Sequence, residues 1–218
     1  MPLGVFLVLH LAVNASALRG QDSFAAAVAA SHAIPAIGFI TVLLVDLPLL
    51  FHGAMGLWAV VARVSLVTPS PYPRPAAILV RVTGVLTLAF LAVHLPGVHA
   101  FASGPRPQGG ELLTMLSADL SSTSYGVPWR GALYLVGTLA VTGHLALGVW
   151  GMLARTPRGS AAVNRRRLAW AAGALGAAMW LVCVDVVVLH ATGSRLVGQV
   201  APPPVSHEPC PPPGTSPP

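Results

Sequence analysis

Four histidines sit inside apolar runs of this 218-residue chain: His10 in FLVLHL, His52 in LPLLFHGAMGLW, His94 in FLAVHL and His144 in TGHLALGVWG. An imidazole in such surroundings is costly to bury, and when neutral it is a strong metal ligand. A single one ordinarily hydrogen-bonds a neighbouring helix. Four of them, on four different runs, point to a shared chemistry. Their surroundings also repeat. HGAMGLWAVVAR, His52 to Arg63, and HLALGVWGMLAR, His144 to Arg155, share the pattern His-x3-Gly-x-Trp-x3-Ala-Arg, and FLVLHL is matched by FLAVHL.

The elements that must carry these residues follow from composition. The chain is 55% hydrophobic and only 8% charged, with a mean hydropathy of +0.74, outside the range of soluble domains. Apolar runs of about 20 residues can each cross a hydrocarbon core of about 30 Å. Five such runs lie at about 1–18, 37–62, 77–101, 131–153 and 168–191. Backbone polar groups cannot be left unpaired in lipid, and these runs do not alternate in polarity as barrel strands do, so helices are expected. The expected fold is an all-α membrane protein with one transmembrane domain over 1–195 and a disordered proline-rich tail over 196–218. The repeats make the second helix pair a copy of the first. Such a parallel repeat implies a pseudo-twofold axis along the membrane normal. In an up-down bundle of the first four helices, helices one and three then lie diagonally opposite, as do two and four.

Depth sorts the histidines into pairs. His52 and His144 each precede an arginine, Arg63 and Arg155, by 11 residues, roughly 16 Å along a helix. His10 lies nine residues before Arg19, roughly 13 Å, and His94 lies 13 residues beyond Arg81, roughly 20 Å. Each diagonal helix pair thus presents two imidazoles at one level. A flat macrocycle fits between diagonal helices with one imidazole on each side of its iron, so the spacing points to two bis-histidine b-type haem sites. Gly53, Gly56, Gly143 and Gly148, within about a turn of a ligand, would let a porphyrin face approach the backbone. Arg155 is a candidate partner for a haem propionate, with Arg63 its counterpart and Trp58 and Trp150 near the same interface. Pro48 is expected to free the carbonyl of Leu44 and kink the second helix, and Pro96 to bend the third. Asp46 and Asp185 are the acids within the runs, available for proton transfer or for a polar contact between helices.

All 12 basic residues are arginine and the net charge is +6. Arg63, Arg74, Arg81, Arg155, Arg158, Arg165, Arg166 and Arg167 fall in the second and fourth connections, against Arg19, Arg106, Arg130 and Arg195 on the other side. That bias reads as membrane orientation rather than nucleic-acid binding. It puts the N-terminus in the cytoplasm and the C-terminus outside, in the periplasm of a bacterial inner membrane. The first run lacks a basic n-region, so it reads as a span and not a signal peptide despite Ala15-Ser16-Ala17. Cys183 and Cys210 form no CxxC or CxxCH motif, so neither dithiol redox chemistry nor covalent haem attachment is indicated. His207 and Cys210, on the tail, make a poor metal site.

From residue 3 to about 192 the chain resembles the membrane cytochrome b subunits of succinate dehydrogenase and fumarate reductase, of the dihaem, five-helix kind. The resemblance is carried by FLVLHLAVNASALRG with Asn14, by LPLLFHGAMGLW, by LAVHL and by GVPWRGALYLVGTLAVTGHLALGVWG. It implies that His52 and His144 hold the haem near the iron–sulfur subunit, and His10 and His94 the distal one. It further implies electron transfer between a membrane quinone, typically menaquinone, and flavoprotein and iron–sulfur partners that carry the succinate/fumarate chemistry. The quinone site of such proteins lies toward the outer haem. In GQDSFAAAVAASHAIP, His32 falls where some relatives carry a quinol-facing carboxylate, which makes it a candidate proton acceptor. Two departures stand out. The family's inner N-terminal segment has no counterpart before the first run, and Thr142 stands two residues before His144, where some fumarate reductases have a buried glutamate. Other readings of the same residues are a dihaem anchor for a formate dehydrogenase or hydrogenase, a transporter with metal- or proton-carrying histidines, and an anchor whose histidines only hydrogen-bond.

Overall fold

The computed structural model describes residues 2–64, 70, 72–102, 109–123, 125–157, 159 and 162–196. The proline-rich segment from 197 onward, with His207 and Cys210, lies outside the described residues, as do Arg106 and Arg158. The helices are α1 (Pro2–Ala15, continued by a 3-10 turn Ser16–Arg19), α2 (Gln21–His32), α3 (Ile37–Thr41), α4 (Leu47–Val61), α5 (Arg74–Ala102), α6 (Gly109–Ser121), α7 (Trp129–Leu153) and α8 (Ala162–Thr192). No strand occurs among the described residues.

Among the described residues, five segments are long and apolar enough to cross a membrane: Pro2–Arg19, Ile37–Val61, Arg74–Leu95, Trp129–Leu153 and Val163–Thr192. They coincide with the five expected runs, with ends displaced by a few residues. Helix α8 starts at Ala162, ahead of the expected run, and so includes Arg165, Arg166 and Arg167. Arginines extend a helix readily, and hydrophobicity alone does not mark where it begins.

The second span is broken as its proline requires. A π-helical turn, Val42–Asp46, joins α3 to α4, and the Leu47 N–H reaches back to the Val42 carbonyl. Pro48, the second residue of α4, has no N–H to give Leu44, and the ladder is re-registered one residue upstream. At its other end α4 stops at Arg63, which takes a left-handed φ of 55°. The Val64 N–H then closes on the Ala59 carbonyl at 3.1 Å and the Arg63 N–H on Val60 at 3.2 Å, satisfying carbonyls that the helix would leave open.

Helix α7 is the centre of the packing, with α5 on one side and α8 on the other. Its α8-facing residues are small: Ala140, Thr142 and Ala146 are buried. A side chain at Gly176 of α8 would meet the Ala146 Cβ at 2.8 Å and the Thr142 carbonyl at 3.2 Å. Lipid supplies no hydrophobic drive between spans, so close backbone approach through small residues is what holds them. Helix α1 touches α4, its π-turn and α8, while α4 also touches α5. Two helices absent from the sequence reading, α2 and α6, pack on one another at the end of the spans opposite the arginine-rich connections, and α6 also packs on α8. Phe24, Leu120 and Ala17 are buried there.

Candidate functional site

The structure brings the four histidines together in the two expected pairs. The His52 and His144 ring centroids are 6.0 Å apart with planes at 64°, and those of His10 and His94 are 6.1 Å apart at 80°. The partners come from α4 and α7 in one case and α1 and α5 in the other, helix pairs that are not themselves in extensive contact. His94 and His144 are half-buried, whereas His10 and His52 are exposed.

The repeat extends to side-chain geometry. In α1, Phe6 stacks on His10 with centroids 5.5 Å apart and planes at 23°. In α5, Phe90 stacks on His94 at 5.4 Å and 21°. The Phe-x3-His spacing places both rings on one helix face, one turn apart. Phe90 in turn fills the notch at Gly137 of α7, where a Cβ would run into its ring.

Hydroxyls meet the Nδ1 atoms of the two half-buried histidines. Thr83 Oγ1 of α5 lies 3.2 Å from His144 Nδ1 of α7, and Tyr134 Oη of α7 lies 3.1 Å from His94 Nδ1 of α5. Gly84 adds a close contact, since a Cβ there would stand 3.1 Å from His144 Cε1. Asn14 donates to the His10 carbonyl at 2.8 Å and lies 3.4 Å from His10 Nε2. These partners are 61 and 40 residues from their histidines, so no local spacing discloses them. The available signal is that Thr83 and Tyr134 are polar residues inside spans.

At the arginine-rich end, Tyr72 packs edge-on against Trp150 with centroids 5.4 Å apart and donates its hydroxyl to the Leu147 carbonyl at 2.9 Å. Gly151 makes room for it, because a Cβ there would run into the phenol oxygen. Burial pushes the Tyr72 phenol above its ordinary range, while the nearby Arg155 guanidinium pulls it down. The Trp150 indole N–H is buried with no acceptor among the described residues. Arg155 is exposed, and Trp58 of the other repeat is 54% exposed, so the two copies differ at this end.

The remaining candidates are placed as follows. His32 ends α2, exposed, and no hydrogen bond or ring contact among the described residues joins it to the histidine pairs. Asp46 is exposed within the π-turn. Asp185 is buried and accepts the Leu196 N–H at 2.8 Å, tying the segment after α8 back onto it. Thr142 is 2% exposed and donates to the Thr138 carbonyl at 2.9 Å, so its hydroxyl is spent within α7. His190, with no marked motif around it in the sequence, is 4% exposed; its Nδ1 lies 3.2 Å from Ser117 Oγ of α6, and its Nε2 has no partner among the described residues.

Chemically, each pair offers two imidazoles and nothing more. Among the described residues no group of three or more His, Cys, Asp or Glu side chains is placed to hold a metal ion. Two donors make a poor cage for a bare ion but are all that is needed when a macrocycle supplies the other ligands. A metal–imidazole bond of about 2.0–2.1 Å, plus roughly 1.1 Å from nitrogen to ring centre, sets two trans imidazole centroids about 6.3 Å apart. Both pairs stand near that separation.

Five apolar spans carrying two edge-on imidazole pairs define a multi-pass helical membrane protein with paired histidines between its helices. Over 151 residues, 69% of this chain and 71% of the relative, it is 28% identical to the succinate dehydrogenase cytochrome b558 subunit of Bacillus subtilis (strain 168). That likeness supports the succinate dehydrogenase cytochrome b family indicated by the motifs. No protein-family model and no solved structure matches it.

Proposed function

We propose that this chain is the cytochrome b membrane anchor of a succinate:quinone oxidoreductase. In this reading it holds one haem b on His52 and His144 and a second on His10 and His94. The observation that carries it is the pairing of the four imidazoles, two and two, with ring centroids 6.0 and 6.1 Å apart, close enough that each pair would hold one haem between them. The name of the homologous subunit points the same way. The residues fit the group in further respects. His144 and His94 each offer Nδ1 to a hydroxyl, as metal-bound histidines commonly do. The orphaned Trp150 N–H and the Arg155 guanidinium, at the arginine-rich end, are suited to a propionate carboxylate.

The chain's own part is positional. Haem, when bound, supplies one-electron chemistry. Tyr134 and His144, on the same helix and ten residues apart, separate the two centres by about 15 Å along α7. The packing of α5, α7 and α8 keeps that spacing rigid. The arginine-rich end faces the cytoplasm, where the flavoprotein and iron–sulfur subunits dock, and the end capped by α2 and α6 faces outward, toward the site of a quinone such as menaquinone.

Dithionite-reduced minus oxidised spectra with pyridine haemochrome quantification test the reading on membranes containing the full chain. The expected result is two haem b per chain, and one or none overturns it. His52→Ala and His144→Ala are each expected to remove one haem and spare the other. Retention of both signals in either variant refutes the ligand assignment.

A further inference from the structure

Helices α5 and α7 exchange hydroxyls across their interface. Thr83 on α5 reaches His144 on α7, and Tyr134 on α7 reaches His94 on α5. We propose that Thr83 and Tyr134 are positioning residues that fix the ligating tautomer of His144 and His94, and that by accepting the Nδ1 proton bond each sets the reduction potential of one centre. The inference rests on the dihaem reading and adds to it two residues, with the property each controls.

Proton accounting carries the Thr83 half. A hydroxyl has one proton to give. Thr83 Oγ1 lies 2.8 Å from the Leu79 carbonyl and 3.2 Å from that of Val80, acceptors that can only receive it. Toward His144 Nδ1, at 3.2 Å, the hydroxyl therefore accepts. His144 must then carry its proton on Nδ1, which leaves the Nε2 lone pair for a metal. The close approach of the ring to Gly84 holds its plane. In this proposal the bonds of Thr83 to its own helix favour the tautomer that ligation through Nε2 needs.

The Tyr134 half has the same geometry and a different acceptor. Ligation through His94 Nε2 requires a proton on Nδ1, and the Tyr134 oxygen at 3.1 Å receives that N–H. Phe90 packs on both rings, stacked on His94 and edge-on to Tyr134 with centroids 5.2 Å apart, so the phenol cannot swing away without displacing it. An acceptor on Nδ1–H draws the proton outward and makes the imidazole a stronger electron donor, which favours the oxidised iron and lowers the potential. The Thr83 hydroxyl, polarised by its own donation to a helix carbonyl, is the stronger acceptor, because hydrogen bonds in a chain reinforce one another. The sequence thus duplicates its ligands and gives the two copies different Nδ1 partners.

The test is a potentiometric titration, followed by visible spectra, of membranes containing the full chain as wild type, Tyr134→Phe, Thr83→Val and Thr83→Ser. Tyr134→Phe is expected to raise the midpoint of one haem and Thr83→Val that of the other, with the larger rise for Thr83→Val. Thr83→Ser restores the wild-type value. Loss of such a partner also weakens retention of the affected group by about 10–100-fold, so selective loss of that one haem supports the same conclusion. Wild-type potentials in both Tyr134→Phe and Thr83→Val, with both haems bound, overturn the proposal, as does a uniform shift of both haems in each variant. If Thr83→Val does not assemble, the nearly isosteric Tyr134→Phe decides. A wild-type protein without two haems instead refutes the function proposed above.

Discussion

Gly137→Ala is the smallest change expected to disturb one histidine pair alone. Gly137 is buried on α7, and a methyl there would run into the Phe90 ring. Phe90 is only 6% exposed, stacked on His94 and set edge-on against Tyr134, so it cannot retreat without moving both. Overpacking of this kind costs about 1–3 kcal/mol. Against it stands the gain of about 0.5–1 kcal/mol when alanine replaces glycine inside a helix. The balance is a net loss of about 1–2 kcal/mol, roughly a 5–30-fold fall in the folded ratio. Gly173→Ala on α8 is the control. A Cβ there meets nothing within 4 Å, so the helical gain of about 0.5–1 kcal/mol stands alone. Thermal unfolding of the purified chain in mild detergent reads both variants. A second readout is the spectrum of the haem proposed at His10 and His94, which Gly137→Ala should alter while leaving that proposed at His52 and His144 intact. Phe90→Leu in the same chain should recover part of the loss, because the clash needs both partners and the two changes are non-additive. A Gly137→Ala chain as stable as Gly173→Ala, with both centres unchanged, refutes the packing argument.

Two further outcomes follow from hydrogen bonds outside the histidine pairs. Ser117→Ala removes the one partner of His190, whose other ring nitrogen is already unpaired; a fully orphaned buried imidazole is expected to lower stability by about 1–3 kcal/mol, seen as a fall in the unfolding midpoint, and an unchanged midpoint refutes it. Tyr72→Phe removes the bond to Leu147, a loss of about 0.5–1.5 kcal/mol near neutral pH. Because the folded Tyr72 phenol is held above its ordinary value of 10.0, the unfolded chain ionises first. Its contribution is therefore whole below pH 10 and is lost as pH rises past that value toward the folded pKa. The alkaline fall in stability should accordingly be shallower in Tyr72→Phe than in the wild type.

Much of the architecture was legible in the sequence because membrane spans are written in composition. Runs such as Gly131 to Leu153 are read from hydropathy alone, and α7, Trp129–Leu153, matches that run to within two residues. The histidine pairs were legible for another reason: the repeat fixes which helices correspond, and 1.5 Å of rise per residue fixes depth. Helices α2 and α6 were not legible, since QDSFAAAVAASH and GGELLTMLSADLS are short and of mixed polarity, and their stability comes from packing on one another and on α8. Thr83, Tyr134, Tyr72 and Ser117 escaped because each acts on a residue far away in the chain. A threonine in an apolar run carries no mark that separates one bonding its own helix, as Thr142 does, from one that also meets an imidazole, as Thr83 does.

The duplicated sequence does not produce duplicated surroundings, and the fifth span is the reason. Helix α8 packs along α7, so the second copy of the repeat, α5 and α7, lies in the densest part of the molecule. The first copy, α1 and α4, stays near its edge. His94 and His144 are accordingly half-buried and held by hydroxyls, whereas His10 and His52 are exposed. In the proposed function each pair would join one imidazole that meets a hydroxyl of a neighbouring helix to one that does not. With haem bound as proposed, the more constrained imidazole would fix where the group sits and the freer one would follow it. Substitutions around His94 and His144 should thus alter the properties of the bound group, and those around His10 and His52 should chiefly alter how tightly it is retained. Comparing midpoint potentials and haem retention in Gly84→Ala, which presses on His144, and in Gly53→Ala, beside His52, tests that division. A larger potential shift in Gly53→Ala than in Gly84→Ala refutes it.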